Sequence, residues 1–124
     1  MAKRSGSAGR SGKKALSKDE IISTLTAAGG NRWQKGGRDR IYFDTRNALV
    51  GLETSRYKTG NISSATFKGK AISNSEARRL IVAALDTKMY YDVATGVIHY
   101  GKSGNAKFDE LLEGYVKKIR KKIS

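Results

Sequence analysis

The residues best suited to chemistry on a partner molecule lie between Gly29 and Phe43. This stretch holds two Gly-Gly pairs, the only tryptophan of the chain, Trp33, and four cations: Arg32, Lys35, Arg38 and Arg40. Guanidinium groups bind phosphates through paired N–H donors, and an indole offers a flat face on which a base stacks. Because glycine lets a backbone approach a partner closely, the composition predicts a flexible basic Gly/Arg/Trp loop that contacts nucleic acid. The alternative is that Trp33 anchors the core and the cations are solvated loop charges.

Positive charge is concentrated in three segments of the 124-residue chain, whose formal net charge is +14. Residues 1–18 carry six cations and no acid, residues 117–124 carry five and no acid, and residues 29–70 carry nine against three acids. Such charge attracts polyanions. Nucleic acid is the first candidate and anionic membrane the second, unless the basic tails only aid solubility. Outside the loop, the predicted phosphate contacts are Lys3, Arg4, Arg10, Lys13, Lys14, Arg56, Lys58, Lys117, Lys118, Arg120, Lys121 and Lys122.

The sequence contains no recognisable catalytic constellation. It has no cysteine and one histidine, His99, which argues against a thiolate zinc site and an all-histidine metal site. A two-metal nuclease needs several converging carboxylates, and here only Asp39 and Asp44 flank a predicted strand. The glycine pairs are not followed by the Gly-Lys-Ser/Thr of a phosphate-binding loop. We therefore expect a protein that is not an enzyme and has no metal or cofactor.

Capping signals and apolar spacing predict three helices. Ser17 with Glu20, and Ser73 with Glu76, have the spacing of a capping box, in which each side chain accepts from the other residue's backbone N–H. Apolar residues at helical spacing then predict a helix over 18–28, a second that ends near Asp86, and a last helix that begins after Asn105. Residues 1–16 are expected to form a disordered basic arm, since their composition cannot offset the entropy of ordering.

Five strands are predicted from alternating and β-branched residues, at 41–43, 48–54, 62–68, 89–93 and 97–100. Turn sequences at 57–61 and 94–96 join four of them into two hairpins. The resulting order, α-β-β-β-α-β-β-α, predicts an α+β protein in which helices pack on an antiparallel sheet, with one domain over 17–124. The hairpin that carries Arg56 and Lys58 either tracks nucleic acid or is a sheet edge protected by cations.

The favoured hypothesis is a non-catalytic nucleic-acid-binding protein, on DNA or RNA, whose arm, loop and lysine-rich helix end contact phosphates. Trp33, with Tyr42 or Tyr57, would stack on bases. An alternative is a small phage or mobile-element inhibitor of the anti-CRISPR kind, which binds a host protein–nucleic-acid complex, and a third is a ribosome-associated protein. With no signal sequence or apolar span, we expect a cytoplasmic protein. The basic helix end could lie on a membrane, but the long apolar stripe before it favours a helix packed on the core.

Overall fold

The computed structural model describes residues 15–124, in which helices and strands follow the order α-β-β-β-β-β-α-β-β-α. The helices are α1 (Lys18–Ala27), α2 (Asn74–Asp86) and α3 (Ala106–Ile123). The strands are β1 (Asn31–Lys35), β2 (Arg38–Phe43), β3 (Leu52–Arg56), β4 (Ile62–Phe67), β5 (Lys70–Ile72), β6 (Met89–Asp92) and β7 (Val97–Tyr100). The predicted arm contacts Lys3, Arg4, Arg10, Lys13 and Lys14 lie outside the described residues. Within residues 15–124, no helix has both the length and the apolar content that a membrane crossing requires.

The strands form two antiparallel sheets, one in the order β1-β2-β6-β7 and one in the order β3-β4-β5. One face of the four-stranded sheet packs on the helices, where Ile41 and Met89 share a buried cluster with Leu25, Leu80 and Phe108. A smaller cluster joins Ala77 of α2 to Ile62 and Ala65 of the three-stranded sheet. The α+β class, the antiparallel pairing and the three helices are therefore as predicted, although the strands divide into two sheets.

The prediction of a flexible loop between Gly29 and Phe43 is wrong, because this segment is a β-hairpin. Strand β1, which was not predicted, pairs with β2 along its whole length. Gly36 and Gly37 form the turn with φ values of 61° and 77°, and positive φ at both central residues is the geometry that matches the twist of a two-residue hairpin. All five residues of β1 are exposed, so the strand lacks the apolar alternation by which strands are recognised. The short strand β5 was also not predicted.

The strand predicted at 48–54 begins later than expected, because Thr45–Ala48 is a 3-10 turn and β3 covers Leu52–Arg56. The buried Thr45 hydroxyl donates to the carbonyl oxygens of Ala84 and Thr87 at the end of α2. The hydroxyl is a further donor at a helix end, where intrahelical donors run out, and the Ala84 carbonyl oxygen also accepts from the Thr87 N–H at 3.4 Å. The tertiary bond therefore holds the segment in a turn, although Ala48 and Leu49 still contribute to the core.

The helix starts agree with the capping signals. At α1 the Ser17 hydroxyl accepts from the Glu20 N–H at 3.2 Å, and the Glu20 carboxylate accepts from the Ser17 N–H at 2.8 Å. At α2 Ser73 makes the first of these bonds, at 3.0 Å, but the Glu76 carboxylate instead accepts from Lys107 Nζ at 2.9 Å. The second capping box therefore has only one of its two hydrogen bonds, since the Glu76 carboxylate links α2 to α3 instead.

Gly30 is required for α1 to pack against β2. A Cβ built on Gly30 would clash with Ile41 Cγ2 and would lie 2.8 Å from the Leu25 carbonyl oxygen. Because Ile41 is fully buried, Gly30→Ala should lower the free energy of unfolding by about 1–3 kcal/mol, measured by urea denaturation. Gly101→Ala is the matched control, since a Cβ there meets no atom within 4 Å. Equal stability of the two variants would contradict this close contact.

Candidate nucleic-acid interface

The strand register determines which side chains share the exposed face of the four-stranded sheet. Residues directly paired across antiparallel strands lie on the same face, and Tyr42 pairs with Tyr90, which in turn pairs with His99. The neighbouring pairs, such as Ile41 with Tyr91, are buried on the helix side. We call the opposite side the aromatic face and define it by its charged and aromatic residues: Trp33, Lys35, Arg38, Arg40, Tyr42, Tyr90, Asp92 and His99.

The aromatic face carries a continuous row of four rings, one from each strand. Trp33 meets Tyr42 edge to face with centroids 6.3 Å apart, and Tyr42 lies 5.3 Å from Tyr90 in a tilted arrangement. Tyr90 stacks on His99, with centroids 4.9 Å apart and 20° between the planes. Aromatic pairs of this kind add about 0.5–1.5 kcal/mol each beyond the area that they bury. The rings therefore hold one another in place before any partner binds.

Arg40 is built into this row. Its guanidinium carbon lies 4.3 Å from the centroid of the Tyr90 ring, and its Nη1 donates to the Tyr42 hydroxyl at 3.1 Å. That hydrogen bond raises the pKa of Arg40 above its ordinary value, so the group stays charged. Because β2 and β7 lie on opposite sides of β6, Arg40 and His99 reach Tyr90 from its two sides. The central ring is thus enclosed by its neighbours.

Cations outnumber acids on and beside the aromatic face. Lys35 and Arg38 form the last pair of the β1–β2 hairpin and are exposed. Lys88 is exposed directly before β6 and lines a cleft with Tyr90. The acid on this face is Asp92, whose Oδ1 accepts from the backbone N–H groups of Ala94 and Thr95 at 2.9 and 3.2 Å. The carboxylate therefore closes the β6–β7 turn, and the surface favours an anionic partner.

Arg32, a predicted phosphate contact, lies on the other side of the hairpin. It pairs in register with Ile41, on the helix side of the sheet. Its Nε and Nη2 donate to the two carboxylate oxygens of Asp39 at 2.9 and 2.7 Å. This bond with Arg32 lowers the pKa of Asp39 below its ordinary value. The structure therefore separates Arg32 from its predicted neighbours Trp33, Lys35, Arg38 and Arg40, which the aromatic face brings together.

The predicted contact Arg56 ends strand β3 in the other sheet, and Lys58 lies in the turn of the β3–β4 hairpin. Arg56 Nη1 donates to the Gly60 carbonyl oxygen at 2.7 Å, which holds its guanidinium against the turn. Tyr57 between them is exposed. These side chains form a second, smaller basic surface that is not part of the aromatic face.

The predicted contacts at the end of α3 lie across the molecule from the aromatic face. The apolar side of α3, with Phe108, Leu112, Val116 and Ile119, is buried against the helix side of the sheet. This agrees with the predicted core-packed helix. The cations on its outer side are all exposed: Lys117, Lys118, Arg120, Lys121 and Lys122.

Sequence reasoning did not assign His99 or Lys88 to the site, and it indicated only that at least one of Tyr90, Tyr91 and Tyr100 would face solvent or a partner, where it could stack on a base. The available signal was the alternation in β6 and β7, where Tyr90 and His99 fall between the buried residues Met89, Tyr91 and Ile98. Trp33 was predicted to be either a core anchor or a contact residue. Its 41% exposure excludes a core role.

Among residues 15–124, no group of three or more His, Cys, Asp or Glu side chains is placed to hold a metal ion.

Comparison with known proteins gives no relative by which the surface can be interpreted. No protein-family model matches the chain, and no curated protein or solved structure matches it either. The function is therefore argued from the aromatic face itself.

Proposed function

We propose that this is a non-catalytic nucleic-acid-binding protein and that the aromatic face is its contact surface. The proposal is carried by the row of Trp33, Tyr42, Tyr90 and His99 on the solvent side of the sheet, with Arg40 set among the rings. Aromatic rings bind bases by stacking, and cations in the same groove bind the backbone phosphates. Both kinds of group are present here on one side of one sheet.

A purely structural role does not account for this surface. The solvent side of an antiparallel sheet usually carries polar residues, and the opposite side carries the apolar ones. Here every strand of the four-stranded sheet presents a ring to the solvent side. No described helix covers them, since Ile41 and Met89 on the other side of the sheet pack against the helices. Exposed clusters of this kind are typical of interaction sites.

The cations away from the aromatic face have a secondary role in this proposal. The exposed side chains of α3 and of the β3–β4 turn raise the positive potential around the molecule, as do the cations of residues 1–14. Such a field increases the rate of encounter with a polyanion and is screened by salt. Contact at short range is assigned to Lys35, Arg38 and Arg40.

The test compares two variants that remove the same charge at different places. Lys35→Ala with Arg38→Ala removes two cations from the aromatic face, and Arg78→Ala with Arg79→Ala removes two exposed cations from α2. Loss of two phosphate contacts should reduce the slope of log affinity against log salt by about 1.8 on duplex DNA or 1.4 on a single strand. Binding to labelled DNA and RNA is measured by fluorescence anisotropy from low to high salt. The α2 variant should keep its slope, because alanine preserves the helix and the removed charges lie outside the site.

An equal decrease in slope for both variants would show that only net charge matters, and would remove the aromatic face from the proposal. Weak binding of the unmodified protein to every free DNA and RNA would overturn the function itself. In that case, capture of a protein complex that survives nuclease treatment would favour the inhibitor hypothesis instead.

A further inference from the structure

We infer that the nucleic acid bound on the aromatic face is single-stranded, and that one unpaired base stacks on Trp33 while a second stacks on His99. This inference rests on the proposed function and identifies the substrate class. It follows from which ring surfaces of the row are open and from the distance between them.

The open rings are at the two ends of the row. Tyr90 in the centre has Arg40 at 4.3 Å and His99 at 4.9 Å as neighbours from the two adjoining strands. Tyr42 lies between Trp33 and Tyr90 and is half-buried. Trp33 and His99 are on the edge strands β1 and β7 and are exposed. A base can therefore extend the row at either edge, whereas the middle is already filled.

Each open end has its own cation. Lys35 and Arg38 lie on the aromatic face beside Trp33. At the other end, Lys88, Tyr90 and His99 line an open cleft of about 320 Å³ that Gly101 also borders. A cation next to a stacking ring can bind the phosphate of the same nucleotide. Both ends of the row thus combine the two contacts that a nucleotide offers.

The distance between the ends fits a short length of one strand. Four strands span three inter-strand spacings, so β1 and β7 lie about 14 Å apart, and the two-residue offset in register between Trp33 and His99 lengthens the separation of these two residues to about 16 Å. A stacked strand advances about 3.4 Å per nucleotide, so about five nucleotides reach from Trp33 to His99. Arg40 and the Tyr42 hydroxyl lie between the two ends, in the path of the backbone.

A duplex cannot make these contacts without being opened. Its bases already stack on one another and present only their edges in the grooves. Extruding a base costs a few kcal/mol in lost stacking and pairing. A surface whose recognition elements are ring faces therefore selects bases that are already unpaired.

Trp33 is the only tryptophan of the chain, so its fluorescence reports directly on stacking at one end of the row. The full-length protein is titrated with three probes of equal length: a single-stranded oligonucleotide, an abasic strand with the same phosphates, and a duplex. We expect the single strand to quench Trp33 emission and to bind at least about tenfold more tightly than the other two probes, since stacking of one base is worth that much. Affinity should also increase with oligonucleotide length up to about five nucleotides.

Substitutions at the two ends test the stacking positions separately. Trp33→Ala and His99→Ala should each weaken binding of the labelled single strand by about 5- to 150-fold and leave the abasic strand unaffected. Leu85→Ala, which removes an exposed apolar side chain from α2, is the control and should bind as the unmodified protein does. If all three probes bind equally and neither end substitution matters, the inference is overturned while nucleic-acid binding stands. If no probe binds, both this inference and the proposed function are overturned.

Discussion

Replacing Phe108 with alanine should lower the free energy of unfolding by about 3–5 kcal/mol, the usual cost of removing a buried phenyl ring and leaving a cavity. Within residues 15–124, Phe108 is one of the largest side chains that are fully buried. It lies in the first turn of α3, where the Asn105 side chain accepts from its backbone N–H at 3.1 Å. The substitution leaves that cap in place, so the loss reports on core packing alone.

Urea denaturation measures this effect as a lower midpoint with an unchanged slope. Leu85→Ala is the matched control, because Leu85 is 65% exposed on α2 and surface substitutions usually stay within about 0.5 kcal/mol. A loss below about 1 kcal/mol for Phe108→Ala would mean that the ring is not enclosed, since even modest core truncations cost more.

The same strands build the core and the aromatic face. In β2, Ile41 and Phe43 point to the helices, while Arg40 and Tyr42 point to solvent. A slip of one residue in pairing would exchange the two sets. The burial of Ile41 therefore fixes the positions of Arg40 and Tyr42, and a stable core is a condition for the site.

Helices were the part of the fold that the sequence predicted well, because their signals are local. The Ser17–Glu20 box and the apolar spacing from Phe108 to Ile119 each lie within a few turns of chain. Strand β1 has no such signal: all five of its residues are exposed, and its stability comes from pairing with β2. The turn at Gly36 and Gly37 was visible as glycines, but glycines are also typical of loops.

The sequence predicted only the part of the candidate site that lies in the β1–β2 hairpin. Trp33, Arg38 and Arg40 were recognised because they are close together in the chain. Tyr90 and His99 join them through pairing of β2 with β6 and of β6 with β7, which brings together residues some fifty positions apart. The β6–β7 hairpin was predicted from its turn, but local reasoning could not find the pairing of β2 with β6, nor could it place the α3 cations on the opposite side of the molecule.

Tyr90→Ala should weaken single-strand binding by about 5- to 150-fold, although Tyr90 itself stacks on no base. Tyr90 is a positioning residue whose ring contacts Arg40, Tyr42 and His99. Without the Tyr90 ring, the side chains of His99, on which a base stacks, and of Arg40, which contacts a phosphate, are no longer held in place. Each of these two side chains must then be ordered on binding, at a cost of about 0.5–1.5 kcal/mol per side chain. Tyr90→Phe keeps the ring and should bind nearly as well as the unmodified protein.

A double-mutant cycle with His99 separates positioning from a general loss of stability. If Tyr90 acts by holding His99, then Tyr90→Ala should have a much smaller effect in a His99→Ala background, because residues that act as a unit are not additive. Anisotropy with the labelled single strand measures each corner of the cycle, and urea denaturation shows that each variant is folded. Fully additive losses would mean that the two rings contribute independently, and that the stacked geometry of the row has no part in binding.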